Sequence, residues 1–199
     1  FRYHGLECEE SILYLGTDIE TFRQAEQRVT ENLQNIVLIG NDLIRKGIYD
    51  FFEIAKTLPE VNFHIVGTGI GKINVNREVE SAKIENITYH GGLNMHQLSK
   101  LLRSMQIHIL PSRSEGFPKV TLETAAAGVP SIVYADYGAN EWISHEKDGF
   151  VVDRLEEMIA IIKDLKANPD KLNRISTNAI ALAEQFDWKV LVKDWEEEI

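Results

Sequence analysis

The chain has 199 residues, 44% of them hydrophobic and 26% charged, a make-up that suits one water-soluble globular unit with short appendages. Its formal net charge of -10 argues against a broad electrostatic grip on nucleic acid or on an anionic membrane, and leaves room only for a local basic pocket. A single cysteine, Cys8, rules out an internal disulfide and argues against a cysteine-based zinc site; no apolar run approaches the roughly 18 residues that span a bilayer.

The sequence opens at Phe1 without a methionine or a signal peptide, and it reads as a fragment of a longer cytoplasmic protein. Residues 1–34 form no evident β-α unit. Asn35 to Gly40 predicts a first strand, and Gly47 to Leu58 a helix through Ile48, Phe51, Phe52 and Ala55. Val61 to Gly67 predicts a second strand, followed by the glycine loop T-G-I-G. Ile87 to His90 predicts a third. Asn94 caps a helix to about Met105 with Leu98, Leu101 and Leu102 inward. Ile107 to Leu110 is the fourth strand. A helix over Val120 to Ala127 ends at Gly128, with Pro130 beyond. Ser131 to Tyr134 is the fifth strand, with a short helix around Asn140 to Ser144 before the sixth, Phe150 to Val152. Helices follow over Leu155 to Ala167, Pro169 to about Gln185, and Trp188 to the end. The last carries two tryptophans, aromatic area that would suit a partner surface or its own domain.

Short apolar strands alternating with helices imply an α/β, Rossmann-like, doubly wound parallel sheet of about six strands, with helices on both faces and a helical C-terminal tail. Such sheets bind ligands outside the carboxyl ends of their strands. The richest loop there is P-S-R-S-E-G-F-P-K, after the fourth strand. Gly116 permits unusual dihedrals and Pro118 presets the first turn of the helix, so the N–H groups of Gly116, Phe117, Lys119 and Val120 would aim at one point. Glu115, just ahead of them, is badly placed to bind phosphate and well placed to grip hydroxyls attached to it. Glu123, about two turns further on and inside the helix, can accept hydrogen bonds from a ribose. The loop G-N-D-L-I-R-K-G supplies Arg45 and Lys46, cations suited to a diphosphate leaving group. Taken singly, each of these residues also reads as an ordinary loop charge. His90, before Gly91-Gly92, can line a base pocket. The six histidines show no metal spacing, and His64 and His108, inside apolar strands, read as core or interface residues.

These segments resemble the C-terminal, donor-binding domain of the retaining GT-B glycosyltransferases, family 4 (glycosyl transferases group 1). Y-L-G-T-D-I-E-T-F resembles the family's G-V-D-x-x-x-F junction, I-V-L-I-G-N-D-L-I-R-K-G its strand and G-R-x-x-x-x-K-G loop, and I-T-Y-H-G-G-L its x-x-F-x-G-x-V. The most specific piece is S-E-G-F-P-K-V-T-L-E-T-A-A-A-G-V-P, the E-x7-E motif in full frame. G-A-N-E-W-I-S-H-E-K-D-G-F places Glu141 on the family's third acid. The resemblance implies that Lys46 pairs with the donor diphosphate and Glu115 holds the donor sugar near the reacting face. Gly116 to Val120 would cradle sugar and phosphate, Glu123 would bind the ribose, and His90, Gly91, Gly92 and Leu93 would flank the base. The family's phosphate-binding arginine falls on Asn41, with Arg45 able to substitute from across the loop.

The donor implied is a UDP-, GDP- or ADP-linked sugar. With no D-x-D in a donor loop, neither a metal nor another cofactor is expected. The domains implied are a junction segment 1–34, a donor-binding domain 35–185 and a C-terminal helix 186–199 that packs on an absent N-terminal domain. That absent domain would bring the acceptor, a glycan or lipid-linked sugar, and any peripheral membrane contact; without it the fragment would bind donor without turnover. A GT-B sugar-nucleotide epimerase, a non-catalytic sugar-nucleotide-binding module and, least in keeping with the misplaced glycine loop, a nicotinamide-binding domain are the alternatives.

Overall fold

A computed structural model of the chain describes residues 14–24, 29–69 and 73–197. Cys8 and His4, most of the T-G-I-G loop after Gly69, and Glu198 and Ile199 lie outside the described residues.

The six strands are β1 (Asn35–Ile39), β2 (Asn62–Val66), β3 (Ile87–Tyr89), β4 (Ile107–Leu110), β5 (Ser131–Tyr134) and β6 (Phe150–Val152). All pair in parallel in the order β3-β2-β1-β4-β5-β6. This is the doubly wound arrangement, and the strand order reverses between β1 and β4. The strands read as apolar runs because both faces are covered. Alternation along each strand sends Ile36, Leu38, Ile107, Ile109 and Ile132 into one core layer. That layer is closed by α1 (Ile48–Thr57), α2 (Val75–Ala82) and α5 (Leu155–Ala167). Val37 and Ile39 point the other way, against α3 (Met95–Leu102), α4 (Lys119–Ala126) and α6 (Pro169–Gln185).

The strands lie within a residue of their sequence-derived bounds. Two elements differ. α2 was not anticipated: it is short and mostly polar, although Val75, Val79 and Ala82, at i, i+4 and i+7, form a stripe against the core and the Asn74 side chain caps it by accepting from Arg77 N–H. The short helix expected at Asn140 to Ser144 is a 3-10 turn at Ala139–Glu141, entered through Gly138. The N-terminal stretch is not free-standing. Ile19 and Phe22 are buried in the layer with α3, α4 and α6, and Thr17 bridges to Asp187. The last helix, α7 (Trp188–Glu197), buries Leu191 and donates Trp195 Nε1–H to the Tyr14 carbonyl at 3.1 Å, while Trp188 stays 37% exposed.

Candidate functional site

The reversal of strand order between β1 and β4 parts the loops that leave their carboxyl ends, opening a crevice there. The loop after β1, residues 40–47, turns tightly: Lys46 N–H bonds to the Asp42 carbonyl and Gly47 N–H to that of Ile44. Gly47 has φ 82°, and a β-carbon on it would lie 2.0 Å from the Pro111 carbonyl oxygen, so glycine there lets the β1 and β4 loops touch. A β-carbon on Gly40 would lie 2.6 Å from Lys46 Cγ; its bare backbone gives the lysine stem a bed.

Lys46 is thereby laid across to the other loop. Its Nζ donates to Glu115 Oε1 at 2.8 Å, and Arg45 Nη1 donates to Glu115 Oε2 at 3.0 Å. Arg45 Nη1 also donates to the Ser114 carbonyl, and Ser112 Oγ donates to the Arg45 carbonyl. The Glu115 side chain is only 5% exposed and that of Lys46 11%, against 46% for Arg45. Burial pushes the Glu115 carboxyl up, and hydrogen bonding from Lys46, Ser112 and Arg45, with the Lys46 charge, more than reverses this, holding it below the ordinary carboxylate range. Three residues named from sequence are thus brought into one ion cluster across 69 positions of chain.

Glu115 is followed by a turn whose details differ from the expectation. Gly116 has no positive φ, and a β-carbon on it would meet nothing within 4 Å; its backbone is ordinary and opens onto space. Pro118 sits at the N-cap, not in the first turn, and α4 begins at Lys119. The Lys119 N–H is spent on the Phe117 carbonyl at 3.0 Å and is lost as a ligand donor. Among the described residues the N–H groups of Gly116, Phe117 and Val120 have no partner. The Phe117 ring packs against Trp142 at 5.1 Å and Tyr14 at 6.0 Å between centroids, an aromatic anchor for the turn. Beneath α4 a polar chain ties helix to sheet: Thr121 Oγ1–H to the Pro118 carbonyl, Thr124 to Ser131 across their hydroxyls at 3.3 Å, and Ser131 Oγ to His108 Nδ1 at 2.9 Å. His108 is fully buried, its Nε2 without a partner among the described residues. Burial, and then the Lys46 charge, lower it to about 3.

Glu123 lies further along α4, apart from the ion cluster. It is half-buried with no hydrogen-bond or ionic partner among the described residues, and burial pushes its carboxyl up, Lys119 offsetting part of the effect. Asn41, where the family places arginine, accepts from Thr68 Oγ1 at 3.2 Å. The β3 loop comes close to it: a β-carbon on Gly92 would touch the Thr68 methyl at 2.8 Å. The Gly91 carbonyl is taken by Gly67 N–H, and Leu93 packs partly into the core beside α3. His90 does not stand alone at the pocket edge. Its ring stacks on His64, Nε2 to Nδ1 at 3.0 Å, and burial lowers both; His64 falls to about 4, its neighbour adding to the effect.

Sequence reading missed one group. Arg113 lies 3.5 Å over the Tyr134 ring and donates to Asp136 Oδ2 at 2.8 Å and to the Asp153 carbonyl, while Tyr134 OH donates to Asp50 of α1. These bonds fasten the Glu115 loop to β5, β6 and α1. The S-R-S triplet before Glu115 held the signal, but its partners are 23 and 40 residues away. Among the described residues no cluster of His, Cys, Asp and Glu could hold a metal, and no helix is long and apolar enough to cross a membrane.

Residues 18–182 match the family of Glycosyl transferases group 1. An uncharacterized glycosyltransferase of Haemophilus influenzae is 27% identical over 146 residues, 71% of this chain and 41% of that protein. The alpha-galactosylglucosyldiacylglycerol synthase of Streptococcus pneumoniae is 26% identical over 199 residues, 98% of this chain and 50% of that protein. The chain therefore spans half or less of the length of these curated relatives. Anabaena HepE, solved with UDP-glucose, has the same fold at a TM-score of 0.81 and 20% identity, over 94% of this chain and 56% of that one. The C-terminal domain of LpcC from Francisella tularensis, a glycosyl transferase group 1 family protein, aligns at a TM-score of 0.71 and 20% identity, over 85% of this chain and 97% of that one.

Proposed function

The chain belongs to the Glycosyl transferases group 1 family, and from that premise we propose that it is the C-terminal, donor-binding half of a retaining GT-B glycosyltransferase of family 4. The observation that carries the reading is the Arg45–Lys46–Glu115 cluster at the point where strand order reverses, beside the N–H groups of Gly116, Phe117 and Val120, unpartnered among the described residues. Two cations and a helix start supply positive potential for a diphosphate, and a low-lying carboxylate supplies an acceptor for sugar hydroxyls. Lys46 neutralises the leaving diphosphate as the sugar passes through an oxocarbenium-like state. Arg45, from across the loop, supplies the second charge that Asn41 lacks. Glu123, with no hydrogen-bond or ionic partner among the described residues, takes the ribose hydroxyls, and the backbone of His90 to Leu93 flanks the base. The UDP-glucose bound by HepE supports a nucleoside-diphosphate sugar as donor.

On this reading residues 35–185 form the donor domain, 1–34 the junction, and 186–199 a helix that meets an N-terminal domain. That domain brings the acceptor, a glycan or lipid-linked sugar, so these 199 residues bind donor on the cytoplasmic side without turnover. Calorimetric titration with UDP, GDP, ADP and NAD tests it. One nucleoside diphosphate should bind, NAD should not, and Glu123→Ala should weaken the binding about tenfold through two lost hydrogen bonds. No binding by any nucleoside diphosphate overturns the proposal. A non-catalytic sugar-nucleotide module is the second reading, favoured by Asn41; turnover by the full-length protein decides against it.

A further inference from the structure

We infer that Glu115 competes with the diphosphate for Arg45 and Lys46, and that this competition makes the site prefer the sugar-bearing nucleotide over the bare nucleoside diphosphate. The inference rests on the reading of those two cations as the diphosphate partners. Each oxygen of the carboxylate already holds one cation, at 2.8 and 3.0 Å. Glu115, 5% exposed, and Lys46, 11% exposed, are both largely withdrawn from water. An arriving anion therefore meets Arg45 first, whose Nε and Nη2 make no hydrogen bond among the described residues, and must then share Lys46 with Glu115 or take it away.

Either way a nearly buried carboxylate loses part of its compensation and gains a like-charged neighbour. What arrives with the anion decides the balance. The hydroxyls of a sugar on the outer phosphate donate to Glu115 and replace the bonds it gave up. A bare nucleoside diphosphate brings no donor there and carries about one more negative charge, on a terminal phosphate with a second pKa of about 6. The site is then matched to the donor and mismatched to the product left after transfer, so the same carboxylate that grips the sugar hastens departure of the spent nucleotide. The complex with bare diphosphate recovers neutrality by taking a proton onto Glu115.

The experiment is calorimetry on this chain and its Glu115→Gln variant, with UDP and UDP-glucose and the matching guanosine and adenosine pairs. Titrations run at about pH 7, where the terminal phosphate of the bare diphosphate is largely ionised, in two buffers of different ionisation enthalpy. Glu115→Gln should tighten the bare diphosphate roughly tenfold, weaken or leave unchanged the sugar nucleotide, and so erase the preference between them. Wild type should take up more protons than the variant on binding the bare diphosphate, and no more than it on binding the sugar nucleotide. If Glu115→Gln weakens both ligands alike, or proton uptake is the same in both proteins, the inference falls while the donor-binding reading stands. If wild type binds neither member of any pair, that reading falls and takes this one with it. Should the variant fail to fold, the wild type decides: equal proton uptake for sugar nucleotide and bare diphosphate, after subtracting each ligand's own ionisation, overturns the inference.

Discussion

Replacing Lys46 with methionine removes the ammonium and keeps the stem that lies on Gly40. The change leaves Glu115, 5% exposed, with Arg45 as its remaining cation, and Arg45 is 46% exposed. Breaking a fully buried ion pair costs about 3–5 kcal/mol, and an exposed one about 0–1 kcal/mol. One oxygen stays compensated here, so the expected loss is about 2 kcal/mol, or about 4–8 °C in melting temperature for a chain of this size. The loss should depend on pH in a stated direction. The Glu115 carboxyl is lowered in the folded protein, so its contribution is complete above the unfolded value of about 4.3 and disappears as pH falls through the folded value. Urea denaturation of both proteins between pH 7 and about pH 3, through and below the unfolded carboxylate value, reads this directly. The gap should be full at pH 7 and should narrow in the acid limb. A gap below about 0.5 kcal/mol at pH 7, or one that does not narrow in acid, would refute the view that Lys46 compensates a desolvated carboxylate. On the proposed transferase reading, the same loss of a charge-stabilising donor should lower the transfer rate of an active protein carrying this domain about 10²–10³-fold.

His108 is neutral when buried, so below about pH 6.5 the unfolded chain takes a proton that the folded one refuses until about 3. His108→Asn, which keeps a partner for Ser131, should flatten the acid limb of the stability profile by of order 4 kcal/mol between those limits, with His64 leaving a residual slope; an unchanged slope would contradict it. Gly47→Ala should cost at least about 2 kcal/mol, because it combines a left-handed backbone with a carbonyl contact, and chemical denaturation would expose a smaller effect. Arg113→Ala should cost about 1 kcal/mol and should also weaken nucleotide binding by loosening the Glu115 loop; full affinity in a destabilised variant would separate the two roles against this view.

The fold was legible in the sequence to the extent that burial was two-sided. β1 is apolar from Ile36 to Ile39, and β4 is apolar but for His108, because helices cover both faces, and that pattern survives without any knowledge of neighbours. α2 escaped because its eight residues are mostly polar and its apolar stripe, Val75, Val79 and Ala82, is only three residues long. The turn before α4 was misread in its parts for a related reason. Whether Gly116 needs a positive φ, and whether Pro118 caps the helix or enters it, depends on how the Phe117 ring is drawn into its aromatic cluster, a choice made by Trp142 and Tyr14 rather than by the turn.

By itself, the sequence determined the parallel doubly wound sheet, the loops at its carboxyl edge and the candidate residues on them, since those follow from local period and from the chemistry of E-x7-E and R-K-G. Only the tertiary structure decided how the candidates combine. Glu115 binds Lys46 and Arg45, while Glu123 stands apart from them with no partner among the described residues. The physical reason is strand order. Because β4 lies beside β1, two loops 69 positions apart share one crevice, and charges that a linear reading would leave solvated are desolvated against each other.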